Sequence, residues 1–127
     1  MSDKEAALNA MRRIIHAVNA GDDSACLAGM SDEVVIVDDV APFCRTGQQE
    51  AEQWLGRLAD IRKQLFASLS LEDAEVRVAD DRAYVVAPVI LKGSLATSDF
   101  EMNGIVTSIL SNRDGIWLVD MLVWSGR

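Results

Sequence analysis

The chain has 127 residues, half of them apolar and 25% charged, with two prolines and a formal net charge of −8. That is the composition of a folded domain, long enough to bury about two-thirds of its unfolded surface without disulfide or metal staples. The excess of 20 Asp and Glu over 12 Lys and Arg argues against nucleic acid and anionic membrane surfaces, which both call for clustered cations.

Residues 5–20 have helical spacing, with Leu8, Met11, Ile15 and Val18 on one stripe and His16 on the polar side near Arg12 and Arg13. Asn19-Ala20-Gly21-Asp22 ends that helix, and Asp22 can cap a short second one over 23–29. The β-branched run Val34-Val35-Ile36-Val37 predicts a strand over 33–39, and residues 41–46 form a loop. Gly47 opens a third helix with Ala51, Trp54, Leu55, Leu58, Ile61 and Leu65 on one face. After residue 69 the period changes to two. Strands are expected at 75–79, 83–92, 101–111 and 116–125, with breaks at Asp80-Asp81, Gly93-Ser94 and Asn112-Arg113-Asp114-Gly115. Helices followed by an antiparallel meander predict an α+β domain over residues 1–127, with three N-terminal helices on one face of a curved antiparallel sheet.

The last strand is apolar on both faces. Strict alternation sends Trp117, Val119, Met121 and Val123 one way and Leu118, Leu122 and Trp124 the other. One of these faces covers the helices. The other is left apolar, and a homodimer through the outer sheet face is the simplest way to cover it.

Cys26 and Cys44 are 18 apart with no CxxC, His16 is the single histidine, and the eight glycines are scattered. These features disfavour a disulfide, a zinc site, an activated thiol and a phosphate-binding loop. No metal and no cofactor are expected. No apolar run approaches the roughly 20 residues of a spanning helix, and the N-terminus lacks a signal-peptide core, so a cytoplasmic location is expected.

The order of elements, with Val18-Asn19-Ala20-Gly21-Asp22, Ser31-Asp32-Glu33-Val34, Arg45-Thr46-Gly47 and Gly115-Ile116-Trp117-Leu118-Val119, resembles the NTF2-like superfamily over residues 5–125. This is the cone-shaped, cystatin-like α+β fold of ketosteroid isomerase, the SnoaL-like polyketide cyclases and scytalone dehydratase. The resemblance implies a pocket between the helices and the concave sheet face. In ketosteroid isomerase a strand-end Asp moves the proton, while a helix-one Tyr and a protonated Asp hold the oxyanion. Laid on that pattern, the base falls at Asp38, the Tyr position at Ile14 and the second Asp at or beside Thr107. The base position is kept and the oxyanion hole is lost, which removes several kcal/mol of transition-state stabilisation. A true ketosteroid isomerase is therefore not expected.

The resemblance also places Ile14, Trp54, Leu58, Val85, Trp117 and Met121 as apolar pocket lining, with Asn103 and Thr107 as polar ligand contacts. Each has a plainer reading beside it. Asp38-Asp39 can be the solvated end of a strand, and Trp54, Trp117 and Met121 can be core. Three functions stay open. The first is an isomerase-, cyclase- or dehydratase-type step using Asp38 as general base on an apolar carbonyl compound. The second is a non-catalytic pocket for a mostly apolar small molecule. The third is a dimeric association module working through its outer sheet face.

Overall fold

The structure is a computed structural model, and it describes residues 1–65 and 67–126. Helix α1 (Asp3–Ala20) starts where the Ser2 Oγ accepts a hydrogen bond from the Glu5 amide, and it stops at Gly21 in the left-handed conformation. Asp22 caps α2 (Asp23–Ala28) by accepting from the Ala25 amide at 3.0 Å. Both caps satisfy amides that a helix start leaves without partners. Strand β1 (Met30–Val37), the short β2 (Cys44–Thr46) and helix α3 (Gly47–Leu65) follow. Then come β3 (Ser68–Leu71), β4 (Glu75–Ala79), β5 (Arg82–Leu95), β6 (Ser98–Arg113) and β7 (Ile116–Gly126).

The seven strands form one sheet in the order β2-β1-β7-β6-β5-β3, with β4 sharing the β3 edge of β5. All pairings are antiparallel except β1 with β7, which run parallel. The expected wholly antiparallel sheet is therefore mixed. β1 and β7 are joined by the whole of α3 and the meander, so no hairpin dictates their relative direction. The fold class itself, three helices on one face of a curved sheet, is as the sequence predicts.

The strands depart from the expectation at three places: β2 forms inside the expected loop of residues 41–46, β3 was not expected, and β5 is longer. Strand β5 does not break at Gly93-Ser94 but runs on to Leu95, with Gly93 paired to Phe100. The last hairpin closes at Asp114 and Gly115, both with positive φ, the geometry that a two-residue turn of this hand requires.

The register between β6 and β7 shifts between Ile109, opposite Met121, and Leu110, opposite Val119. Asp120 is the extra residue of a β-bulge, and the alternation of β7 inverts across it. Trp117 and Val119 face the helices before the bulge, and Leu122 and Trp124 face them after it. Met121 and Val123 consequently lie on the outer face, the reverse of strict alternation.

The core lies between α1, the first half of α3 and the inner sheet face. Met11, Ile14, Val34, Ile36, Leu110 and Val119 are at most 2% exposed. On the outer face Val35, Val37, Ile105, Ile109, Met121 and Val123 are half-buried, and Tyr84 and Val86 are exposed. Among the described residues no helix is long and apolar enough to cross a membrane.

Candidate functional site

Beyond the packed core, the second half of α3 and the C-terminal end of α1 stand off the inner sheet face. They line a half-open cavity of about 380 Å³. Its wall is mainly Trp54, Leu58, Leu91, Val106, Leu122 and Trp124, with Asp38, Asp39 and Val40 at one end. Asn19, Arg57 and Arg62 add polar groups. The helix contribution follows from spacing: Trp54, Leu58, Ile61 and Leu65 recur every three or four residues and share one face of α3.

Asp38 follows Val34 and Ile36 at the period of a strand and so reaches the inner side just beyond the end of β1. Its side chain is 11% exposed. One carboxylate oxygen accepts from the Trp54 Nε1 at 3.0 Å and from the Arg45 guanidinium at 3.4 Å. The other accepts from the Val40 amide at 3.1 Å. The buried Arg45 on β2 thus supplies the countercharge that a carboxylate in an apolar wall needs. Asp38 joins β1, β2, α3 and the following loop at a single group.

The remaining polar residues of the wall hold its elements together. Asn19 donates to the Leu69 carbonyl and accepts from the Leu69 amide, both at 2.8 Å, so its amide pairs with β3 as a neighbouring strand would. Arg62 donates to the carbonyls of Val18, at 2.8 Å, and Asn19. It places a cation at the C-terminus of α1, where the helix dipole favours one. Arg57 donates to the Ala41 carbonyl at 3.2 Å and steadies the loop of residues 38–43. Gly104 leaves room for the Trp124 ring: a Cβ at 104 would collide with its Cη2.

The sequence-based candidates separate into three groups. Asp38, Trp54 and Leu58 line the cavity. Ile14 and Trp117 border a second depression of about 380 Å³ between α1, α2 and the start of β7, together with Arg13, His16 and Asp22. Val85 is 1% exposed in the packed core and reaches neither space. Asn103, Thr107 and Met121 do not border the cavity. On β6 it is Met102 and Val106 that line it, so the odd-numbered residues between and beyond them face outward. Met121 is turned outward by the bulge, and Leu122 and Trp124, which strict alternation sends opposite to Trp117 and Met121, line the cavity instead. Sequence reasoning missed Asn19, Arg57 and Arg62. The signal for the arginines was present, because Arg57 and Arg62 neighbour Leu58 and Ile61 on the apolar face of α3.

Neither thiol borders the cavity. Cys26 is buried in α2; desolvation, with Asp23 and Asp22 adding to it, pushes its pKa up to about 12, which keeps it an inert thiol. Among the described residues no three His, Cys, Asp or Glu side chains gather into a metal site.

No family model matches the chain, and no curated protein matches it in sequence. Solved structures do match in fold. The CaMKII hub of S. rosetta superposes with a TM-score of 0.86 at 17% identity, over 100% of this chain and 98% of that one. An NTF2-like protein with a cystatin-like fold from Novosphingobium aromaticivorans gives 0.85 at 12% identity, covering 96% and 80%. A protein of unknown function with a cystatin-like fold from Nostoc punctiforme gives 0.82 at 12% identity, covering 98% and 91%. A candidate scytalone dehydratase, a candidate ketosteroid isomerase and LinA also share the fold. The chain has the cystatin-like fold of the NTF2-like proteins. At these identities the likeness is one of fold, and a fold by itself assigns no function.

Proposed function

We propose that the chain binds a mostly apolar small molecule in the cavity under α3 and acts there as a binding module. The observation that carries this reading is the wall itself: about 380 Å³ lined by aliphatic and aromatic side chains with few polar groups, the make-up of a small-molecule site. Both Asp38 oxygens already accept hydrogen bonds from the protein, so the carboxylate serves the wall more readily than a substrate. The test is calorimetric titration with 1-octanol against wild type and Leu58→Trp, which sets an indole into the cavity and narrows it. Binding by wild type and its loss in the variant support the reading. Equal binding by both places the ligand elsewhere.

The second reading keeps Asp38 as a general base in an isomerase-, cyclase- or dehydratase-type step, because its carboxylate borders the cavity. It requires that Asp38→Asn abolish turnover of a carbonyl compound while ligand binding persists.

The outer sheet face supports a homodimer, which fits either reading. Val35, Val37, Ile105, Ile109, Met121 and Val123 form an apolar patch there, with Thr107 among them. The expected result is a dimer in sedimentation that Ile109→Glu converts to a folded monomer; a monomeric wild type overturns it. Leu122 and Trp124, which face the cavity, are the wrong positions at which to probe this interface.

A further inference from the structure

We infer that the cavity selects apolar molecules carrying a carboxylate, and that Arg57 is the residue that reads it. The inference rests on the small-molecule reading above and adds the chemical class of the ligand. Four charged residues border the cavity: Asp38, Asp39, Arg57 and Arg62. Two of them are answered by the protein. Asp38 has Arg45, Trp54 and the Val40 amide, and Arg62 is bound to the two carbonyls that end α1.

Arg57 is different. A guanidinium carries five N–H donors, and that of Arg57 gives one hydrogen bond, to the Ala41 carbonyl, with no ion pair among the described residues. It is half-buried on α3, one turn before Ile61 and beside Leu58. A partly desolvated cation with spare donors at the edge of an apolar wall is matched by a planar carboxylate, which can take two parallel N–H···O bonds while its hydrocarbon part covers Leu58, Leu122 and Trp124. Asp39 also borders the cavity but is exposed to solvent, where its repulsion of an anion is screened. The chain as a whole carries −8, so its long-range field repels acids. A preference for an acid must therefore arise locally.

The test compares octanoate, 1-octanol and octylamine by titration calorimetry at pH 7 with wild type, Arg57→Gln and Arg57→Lys, each checked for folding by thermal melting. Wild type is expected to bind octanoate about tenfold or more tighter than octanol, as a charge-assisted hydrogen bond provides, and octylamine no better than octanol. Arg57→Gln is expected to bring octanoate down to the affinity of octanol, and Arg57→Lys to keep part of the preference. Octanol binding as tightly as octanoate in wild type overturns the carboxylate inference and leaves the apolar cavity standing. A preference that survives in Arg57→Gln overturns the assignment to Arg57. Binding of none of the three overturns both this inference and the small-molecule reading.

Discussion

The inner sheet face is largely apolar, yet its two ends are in opposite states. Under α1, Met11 and Ile14 meet Val85, Leu110 and Val119, all at most 2% exposed. Under the second half of α3, Leu58, Leu91, Leu122 and Trp124 surround about 380 Å³ of space. The two helices account for the difference. α1 buries Ala7, Ala10, Met11, Ile14, Ile15 and Ala17, on successive turns along its length, whereas α3 buries only Ala51, Trp54 and Leu55, all in its first half. Two of the ties that fix α3 are polar: Trp54 to Asp38, and Arg62 to the end of α1. Apolar content alone does not decide whether a face packs solid. A hollow survives where the covering helix is positioned by other contacts.

The strongest challenge to that comparison is a pair of truncations. Leu110→Ala at the packed end is expected to cost about 3 kcal/mol in urea denaturation, and Leu58→Ala on the cavity wall about 1 kcal/mol or less, because space already lies beside it. Equal costs would mean that the two ends are packed alike. Next comes the tie at the cavity's edge. Trp54→Phe keeps most of the ring and removes the donor to Asp38, with an expected loss of about 2 kcal/mol. A double-mutant cycle with Asp38→Asn should show clear non-additivity, and additive costs would separate the two residues energetically.

Gly104→Ala is expected to cost about 1–2 kcal/mol by pushing the Trp124 ring into the hollow end, and to weaken binding of 1-octanol there. Stability lost with no change in binding would mean that the ring moves elsewhere. The smallest effect belongs to the cysteines. The Cys26 thiol, raised from 9.0 to about 12 by burial first and by Asp23 and Asp22 second, stays protonated in the folded chain at pH values where the unfolded chain ionises. The unfolded state then binds fewer protons, so this contribution is present below about pH 9 and is lost as pH rises toward 12. Between pH 8 and pH 10, Cys26→Ala should therefore lose about 1 kcal/mol less stability than wild type. A thiol reagent at pH 8 should label the exposed Cys44 alone until the chain unfolds.

Much of the fold was legible because its signals are local. The stripe of Leu8, Met11, Ile15 and Val18 foretold α1, Gly47 the start of α3, and the change of period after residue 69 the meander. Asp38 was singled out through the resemblance to the ketosteroid isomerase pattern, and its side chain borders the cavity. The strands β2 and β3, of three and four residues, were too short to show a period. Asn103 and Thr107 were assigned a face by analogy with relatives rather than by their own alternation. On β6 Gly104, Val106 and Ser108 are buried, and the residues between them are not.

Three helices and a second half of two-residue period could be read from the chain alone, since periodicity and caps are written within a few residues of one another. Tertiary structure decided the rest. The bulge at Asp120 exists only in the register between β6 and β7, and it sends Leu122 and Trp124 inward and Met121 and Val123 outward. The hollow exists only because α3 is tied to a strand end and a helix end distant in sequence. Pairing register and helix standoff are relations between segments, so no single segment encodes them.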